Sequence, residues 1–143
     1  MGNKIAKTLL SYENNSRPIY KIVGRYNAKV VDVYDGDTIT VSIINNFTIQ
    51  KHKLRMLGYD SPEMKPRLNI PNRAEEIEKA KQAKNFLSNL ILHKVVLADI
   101  NGFDKYGRLL GTIFHDTKNI NQVMLDNGHG YVYNGGTKRK AID

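Results

Sequence analysis

Between Leu54 and Glu63 the chain reads Leu-Arg-Met-Leu-Gly-Tyr-Asp-Ser-Pro-Glu, which places Arg55, Asp60 and Glu63 within ten residues of one another. The apolar, strand-like run stops at Pro62, whose ring fixes the backbone, so carboxylates on either side of it can face one pocket that Arg55 reaches from the strand. A second acid, Asp37, follows the turn Asp35-Gly36. If the strand starting at Thr38 pairs with the one leading to Asp60 through a turn at Asn45-Asn46, both aspartates arrive at the same end of the sheet. Each then lies about eight strand residues from that turn, with a bulge absorbing the excess in the longer strand.

Two hard carboxylates with no histidine or cysteine nearby suit Ca2+ or Mg2+, and a flexible site completed by a backbone carbonyl and waters favours Ca2+. Glu63 is then left for proton transfer or for positioning water. Arg55 and Arg108 can each give a phosphate two parallel hydrogen bonds. Three carboxylates alone would repel a phosphodiester; one divalent cation and two guanidiniums make the site net positive, and phosphoryl transfer adds negative charge on the way to its transition state. The plainer readings are that Asp37 is a turn residue and that Arg55 is a salt-bridge partner of Asp60. Ser61 has no paired base in the sequence, so serine nucleophilic catalysis is not expected. His52, His93, His115 and His129 lack ligand pairing.

The 143 residues suffice for one domain with a real core. There is no cysteine, which excludes disulfides, thiolate metal sites and cysteine nucleophiles together. Twenty-two Lys and Arg against fourteen Asp and Glu give a net charge of +8, which favours a polyanionic partner, either nucleic acid or an anionic membrane surface. No apolar run approaches the roughly 20 residues needed to span a bilayer. Residues 1 to 29 hold only short apolar pieces, so no signal-peptide core is read there, and the expected location is soluble, intracellular or particle-associated.

The elements that must position these side chains follow from periodicity. Alternation from Ala28 to Val33, the Asp35-Gly36-Asp37 break, Ile39, Val41 and Ile43 on one face, and a third run from Phe47 to Leu57 predict a three-strand meander. A basic loop with two prolines, residues 64 to 71, leads to Asn72 as an N-cap, with Glu75 placed for a capping box. Ile77, Ala80, Ala83, Leu87, Leu90 and Ile91 then form one helical stripe. Strands at Val95 to Leu97 and Leu109 to Phe114 flank a polar loop from Asn101 to Gly107. A short helix around Ile120 to Met124 ends at Asn127-Gly128, and Tyr131 and Tyr133 alternate in an extended piece. Five strands with one long and one short helix match a β-rich α+β fold, a small Greek-key barrel of the OB type, which commonly binds oligonucleotides.

Three motifs, Asp35-Gly36-Asp37-Thr38, Arg55 with Asp60-Ser61-Pro62-Glu63, and Asp104-Lys105-Tyr106-Gly107-Arg108, resemble the staphylococcal nuclease (thermonuclease) family from Ala28 to Tyr133. The resemblance implies Ca2+ held by Asp37, Asp60 and the carbonyl of Ser61, with Glu63 orienting or deprotonating the attacking water. It implies Arg55 and Arg108 on the phosphate and stabilising the transition state, Lys105 and Tyr106 near the terminal phosphate, and Tyr131 and Tyr133 lining the nucleotide pocket. The activity implied is hydrolysis of DNA and RNA, single-stranded or frayed, to 3'-phosphates, within a nuclease domain over residues 27–134. Residues 1–26 read as an N-terminal extension and 135–143 as a loose basic tail. The family's basic C-terminal helix has no counterpart after Gly135-Gly136, so the extension or a second copy of the chain is expected to cover the exposed barrel face. The rival class is a non-catalytic OB-type reader or nucleic-acid packaging protein.

Overall fold

The alternating run at the start of the meander builds β1 (Gly24–Asp35), which a turn at Gly36-Asp37 joins to β2 (Thr38–Asn45), followed by β3 (Thr48–Met56). The computed structural model describes residues 22–132. A two-residue strand, β4 (Tyr59–Asp60), precedes the long helix α1 (Arg73–Ile91). Then come β5 (Val95–Phe103), β6 (Leu109–His115), β7 (Lys118–Asn119), α2 (Ile120–Asp126) and β8 (Tyr131–Val132). β3, β2, β1, β5 and β6 are hydrogen-bonded in that order, and a parallel pairing of β3 with β6 closes them into a mixed five-stranded barrel. The OB-type barrel with one long and one short helix is thus the observed architecture. β1 takes in Gly24 to Tyr26, the last residues of the stretch read as an extension.

Period-two burial fills the barrel. Val30, Ile39, Val41, Leu54, Met56, Ile100, Leu109 and Ile113 point inward, each essentially without solvent exposure, and Ala83, Leu87 and Ile91 of α1 and Met124 of α2 seal the ends. Together these chains supply most of the apolar burial that holds the barrel closed. The alternation read across Val30 to Val33 breaks in one place: β1 bulges between Val30 and Asp32, so Val30 and Val33 are buried and Val31 is not. Val30 itself stays paired with Val41 of β2, and on its other edge its N–H donates to Lys94 O (3.0 Å) and its carbonyl accepts from His93 N–H (2.8 Å), which docks the helix exit on β1 and leaves Val31 as the extra residue.

Three local expectations are corrected. The β2–β3 turn sits at Asn46-Phe47, both left-handed at φ 50 and 65, rather than at Asn45-Asn46. Two positive φ values match the twist of a two-residue hairpin, so Phe47 belongs to the turn and not to β3. β5 continues through Asn101 and Gly102 to Phe103, with Asn101 as a bulge between the paired residues Ile100 and Gly102. The capping box at α1 is not formed: Asn72 is left-handed (φ 58), which turns its side chain away from the helix N–H groups, and no side-chain cap bond is made.

Gly36 is packed against both the helix and the turn that carries the acids. A Cβ there would lie 2.8 Å from the Ala83 Cβ and 2.8 Å from the Ser61 Cβ. Gly36→Ala is therefore expected to destabilise the protein by about 1–3 kcal/mol through overpacking, measured as a lower urea midpoint at unchanged slope.

Candidate active site

Asp37 is the residue through which the barrel holds the turn that carries Asp60, Ser61 and Glu63. Its backbone carbonyl accepts from Met56 N–H (2.8 Å), which continues the β2–β3 pairing past Thr38–Arg55. Its carboxylate works in the other direction: Oδ1 accepts the Thr38 hydroxyl (2.8 Å) and Oδ2 accepts the Ser61 N–H (2.9 Å). β2 and β3 pair without a bulge, contrary to the expectation. The excess length of the third run goes instead into a turn at Leu57-Gly58, with Gly58 at φ 94, and into the separate strand β4 that carries Asp60. Tyr59 anchors that strand: its ring is fully buried and its hydroxyl donates to Gly36 O (2.6 Å).

Arg55 stands between the two aspartates. Nη2 donates to Asp60 Oδ1 and lies 3.4 Å from Asp37 Oδ2, while Nη1 donates to Met56 O (2.6 Å). Only 15% of the Arg55 side chain is exposed, so this pairing is shielded from solvent far more than a surface ion pair. The salt-bridge reading of Arg55 is therefore realised, and the remaining N–H groups of the guanidinium are left to meet an anion. Asp37 and Asp60 converge on one cationic nitrogen, and all their donor atoms are hard oxygens, so the pair fits a hard divalent cation. Among the described residues no group of three or more His, Cys, Asp or Glu is placed to hold a metal. A full coordination shell would need backbone carbonyl, water or substrate oxygens.

The second arginine is positioned by its own loop. Asp104 Oδ1 accepts from the backbone N–H of Tyr106 and of Arg108 (both 2.9 Å), which shapes the β5–β6 turn, and Oδ2 accepts from Arg108 Nε (2.7 Å). The guanidinium is thus held through Nε. The Tyr106 ring lies beneath both Lys105 Nζ (5.1 Å) and the Arg108 guanidinium carbon (5.7 Å).

Asp37, Arg55, Asp60, Ser61, Glu63 and Arg108 all line one cleft of about 1110 Å³, together with Asp35, Asp104 and the first turn of α1. Lys105 and Tyr106 sit exposed beside its Arg108 edge. Tyr131 lies next to the site through the pairing of its backbone with Asp60. Tyr133 falls outside the described residues. The basic loop packs against the site: Pro66 is buried, its carbonyl accepts from Arg73 Nε (3.3 Å), and Arg67 lines the cleft.

Some contributors were not singled out from sequence. Glu76 accepts the Glu63 N–H (3.2 Å) and so ties the turn to α1, and Asn121, buried on α2, accepts from Ile113 N–H and donates to Leu57 O and Gly111 O. A lone Glu in a helix and a lone Asn near a helix start carry no signal of such long-range contacts. Asp104 did carry one, as an acid four residues before an arginine in a Gly-containing turn.

Comparison with known proteins bears on the same region. The sequence model of the family described as "Staphylococcal nuclease homologue" matches residues 53–142. A protein named "Uncharacterized endonuclease" from Haemophilus influenzae is 30% identical over 105 residues, which cover 73% of this chain and 51% of that protein. One of the same name from Escherichia coli O157:H7 is 29% identical over 108 residues, covering 75% and 61%. A "Probable staphylococcal-like nuclease" of Oryza sativa subsp. japonica is 30% identical over 90 residues, 63% of this chain and 21% of that one. The chain thus spans about half the length of the first of these curated relatives and about a fifth of the last.

The crowding of acids shows in Asp35. Burial, then the neighbouring charge of Asp37 and a hydrogen bond with it, push its carboxyl up from 3.8 to about 7, although Asp35 Oδ1 also accepts the Asp37 N–H (3.0 Å). Asp104 behaves oppositely: against an upward effect of burial, hydrogen bonds from the Arg108 and Tyr106 backbones and the Arg108 side chain hold it below its ordinary value. For Asp35 the native state keeps a proton that the unfolded chain has lost, so stability falls as pH rises from about 4 to about 7 and is flat above. In chelator, the melting temperature of the wild type relative to Asp35→Asn should therefore decline across that window. Parallel profiles for the two proteins would exclude a protonated Asp35.

Proposed function

Because the chain belongs to the staphylococcal nuclease family, we propose that it is a Ca2+-dependent nuclease that hydrolyses phosphodiester bonds of DNA and RNA to 3'-phosphate products. The observation that supports this most is the meeting of Asp37, Arg55, Asp60, Glu63 and Arg108 in one cleft. A purely binding domain needs cations for phosphates; it has no use for carboxylates that repel them.

Asp37, Asp60 and the carbonyl of Ser61 are the residues that would hold the ion. When bound, Ca2+ supplies positive charge against the phosphate and offsets the charge of the aspartates. Arg55 and Arg108 approach from β3 and from the β5–β6 turn and give the phosphate oxygens hydrogen bonds that strengthen as charge builds on them. Glu63 orients a water and accepts its proton as the new P–O bond forms. The bond from phosphorus to the 5' oxygen breaks, the phosphate stays on the 3' oxygen, and the leaving oxygen takes a proton from solvent. Glu63 is suited to this work because Pro62 before it is buried and its own backbone N–H is held by Glu76.

Purified protein incubated with single-stranded DNA and with RNA, in calcium and in chelator, should cut both only in calcium and leave 3'-phosphate ends. Binding of either polymer without cutting would leave a reader or packaging protein. Glu63→Gln should lower kcat by about 10²- to 10⁴-fold while substrate affinity changes little. Asp104→Asn should release Arg108 and reduce kcat/KM by roughly tenfold, as loss of a group that orients a charged ligand does. Unchanged kinetics in that variant would show that Arg108 needs no tether.

A further inference from the structure

The pairing of β2 with β3 is regular from Thr38–Arg55 to Asn45–Thr48, so alternate residues of β3 share one face. Leu54 and Met56 are buried in the barrel, which puts Arg55, Lys53, Lys51 and Ile49 on the outside in a row that starts in the cleft. Directly across on β2 stand Thr38, Thr40, Ser42 and Ile44. Lys53 and Lys51 therefore each face a hydroxyl residue. Both lysines are exposed, and neither makes an ion pair among the described residues. The row also meets the other arginine, because Leu54 pairs with Leu109 in the parallel ladder, and Lys53 and Arg108 each come one residue earlier. At its far end Ile44 (69% exposed), Ile49 (72%) and the fully exposed Phe47 form an apolar tip at the hairpin turn.

We propose that this outer face of β2 and β3 is a binding track for single-stranded nucleic acid leaving the cleft, with Lys53 and Lys51 on successive phosphates beyond the scissile one and the Phe47 tip stacking a base. The inference rests on the nuclease reading above and adds to it a substrate path. Residues two apart on a strand are about 6.7 Å apart, comparable with neighbouring phosphates on a stretched single strand. An ammonium beside a hydroxyl offers an anion several donors, and an exposed aromatic after a cationic row is the usual layout for sequence-tolerant single-strand binding. A bound single strand gives its bases to stacking, which a paired duplex withholds. Beyond Leu54 the far edge of β3 has no partner strand among the described residues, so lysines there could serve only to deter edge-to-edge association. The two roles differ in what they respond to: a guard acts on other copies of the chain, a track on polynucleotide length and salt.

The test uses the full chain carrying Glu63→Gln, so that ligand survives, and fluorescence anisotropy with a labelled thymidine dinucleotide and dodecanucleotide. Adding Lys51→Gln and Lys53→Gln should weaken dodecanucleotide binding about tenfold. It should also lower the salt slope of log affinity by about 1.4, two phosphates at about 0.7 each, and leave the dinucleotide unchanged. Phe47→Ala should weaken the dodecanucleotide by about fivefold or more with the salt slope kept. Equal dodecanucleotide affinity and slope, or an equal loss on the dinucleotide, would overturn the track while leaving the nuclease reading intact. So would unchanged affinity accompanied by self-association in sedimentation, which would make the lysines edge guards. A parent that binds neither length would overturn the nuclease reading and the track together.

Discussion

The Asp37 carboxylate links the barrel to the site. With one oxygen on Thr38 and the other on the Ser61 N–H, and its own carbonyl bonded to Met56 N–H, it ties the β1–β2 turn, the end of β3 and the turn after β4 at one point. Hydrogen bonds to an ionised carboxylate are stronger than neutral ones. Each of these is shielded, so losing Asp37 would leave a buried N–H without its acceptor as well as removing a charge. The other anchors repeat the same design. Tyr59 reaches from β4 back to Gly36, and Glu76 reaches from α1 to Glu63, so the turn carrying Asp60, Ser61 and Glu63 is held from the barrel and from the helix at once.

Those bonds matter because the groups they hold repel one another. Asp35, Asp37 and Asp60 lie together with Arg55 as the near cation, and burial, followed by the charge of Asp37, raises the carboxyl of Asp35. A site built this way is poised to accept more positive charge. Arg55 answers part of the demand from inside, and the proposed divalent ion would answer the rest. Arg108, unlike Arg55, is tethered to an acid of its own turn.

The barrel explains why these residues come from distant parts of the chain. Closure by β3 and β6 brings the β5–β6 turn beside the end of β3, and so sets Arg108 near Arg55 although half a hundred residues separate them. Asn121 reinforces the seam by bonding Leu57, Gly111 and Ile113 together from α2. α1 then lays its first turn along the cleft, which converts one wall from an open sheet face into a bounded pocket.

By itself the sequence determined the barrel strands, the extent of both helices and the central acid and arginine cluster, because each of those rests on local information. Period-two and helical burial, turn residues at Asp35-Gly36 and Asn127-Gly128, and a proline between two acids are properties of neighbouring residues. What only the tertiary structure decided depended on contacts between segments remote in the chain. The bulge at Val31 and the continuation of β5 past polar Asn101 both depend on which residues the neighbouring strands pair with. The left-handed Asn72 undid a capping box that local spacing had favoured. The bridging of Asp37 and Asp60 by Arg55, the anchoring of Glu63 by Glu76 and the raised Asp35 all required burial and cross-chain geometry, since a hydrogen-bond partner and a dielectric environment are properties of the fold and not of any residue's neighbours in sequence.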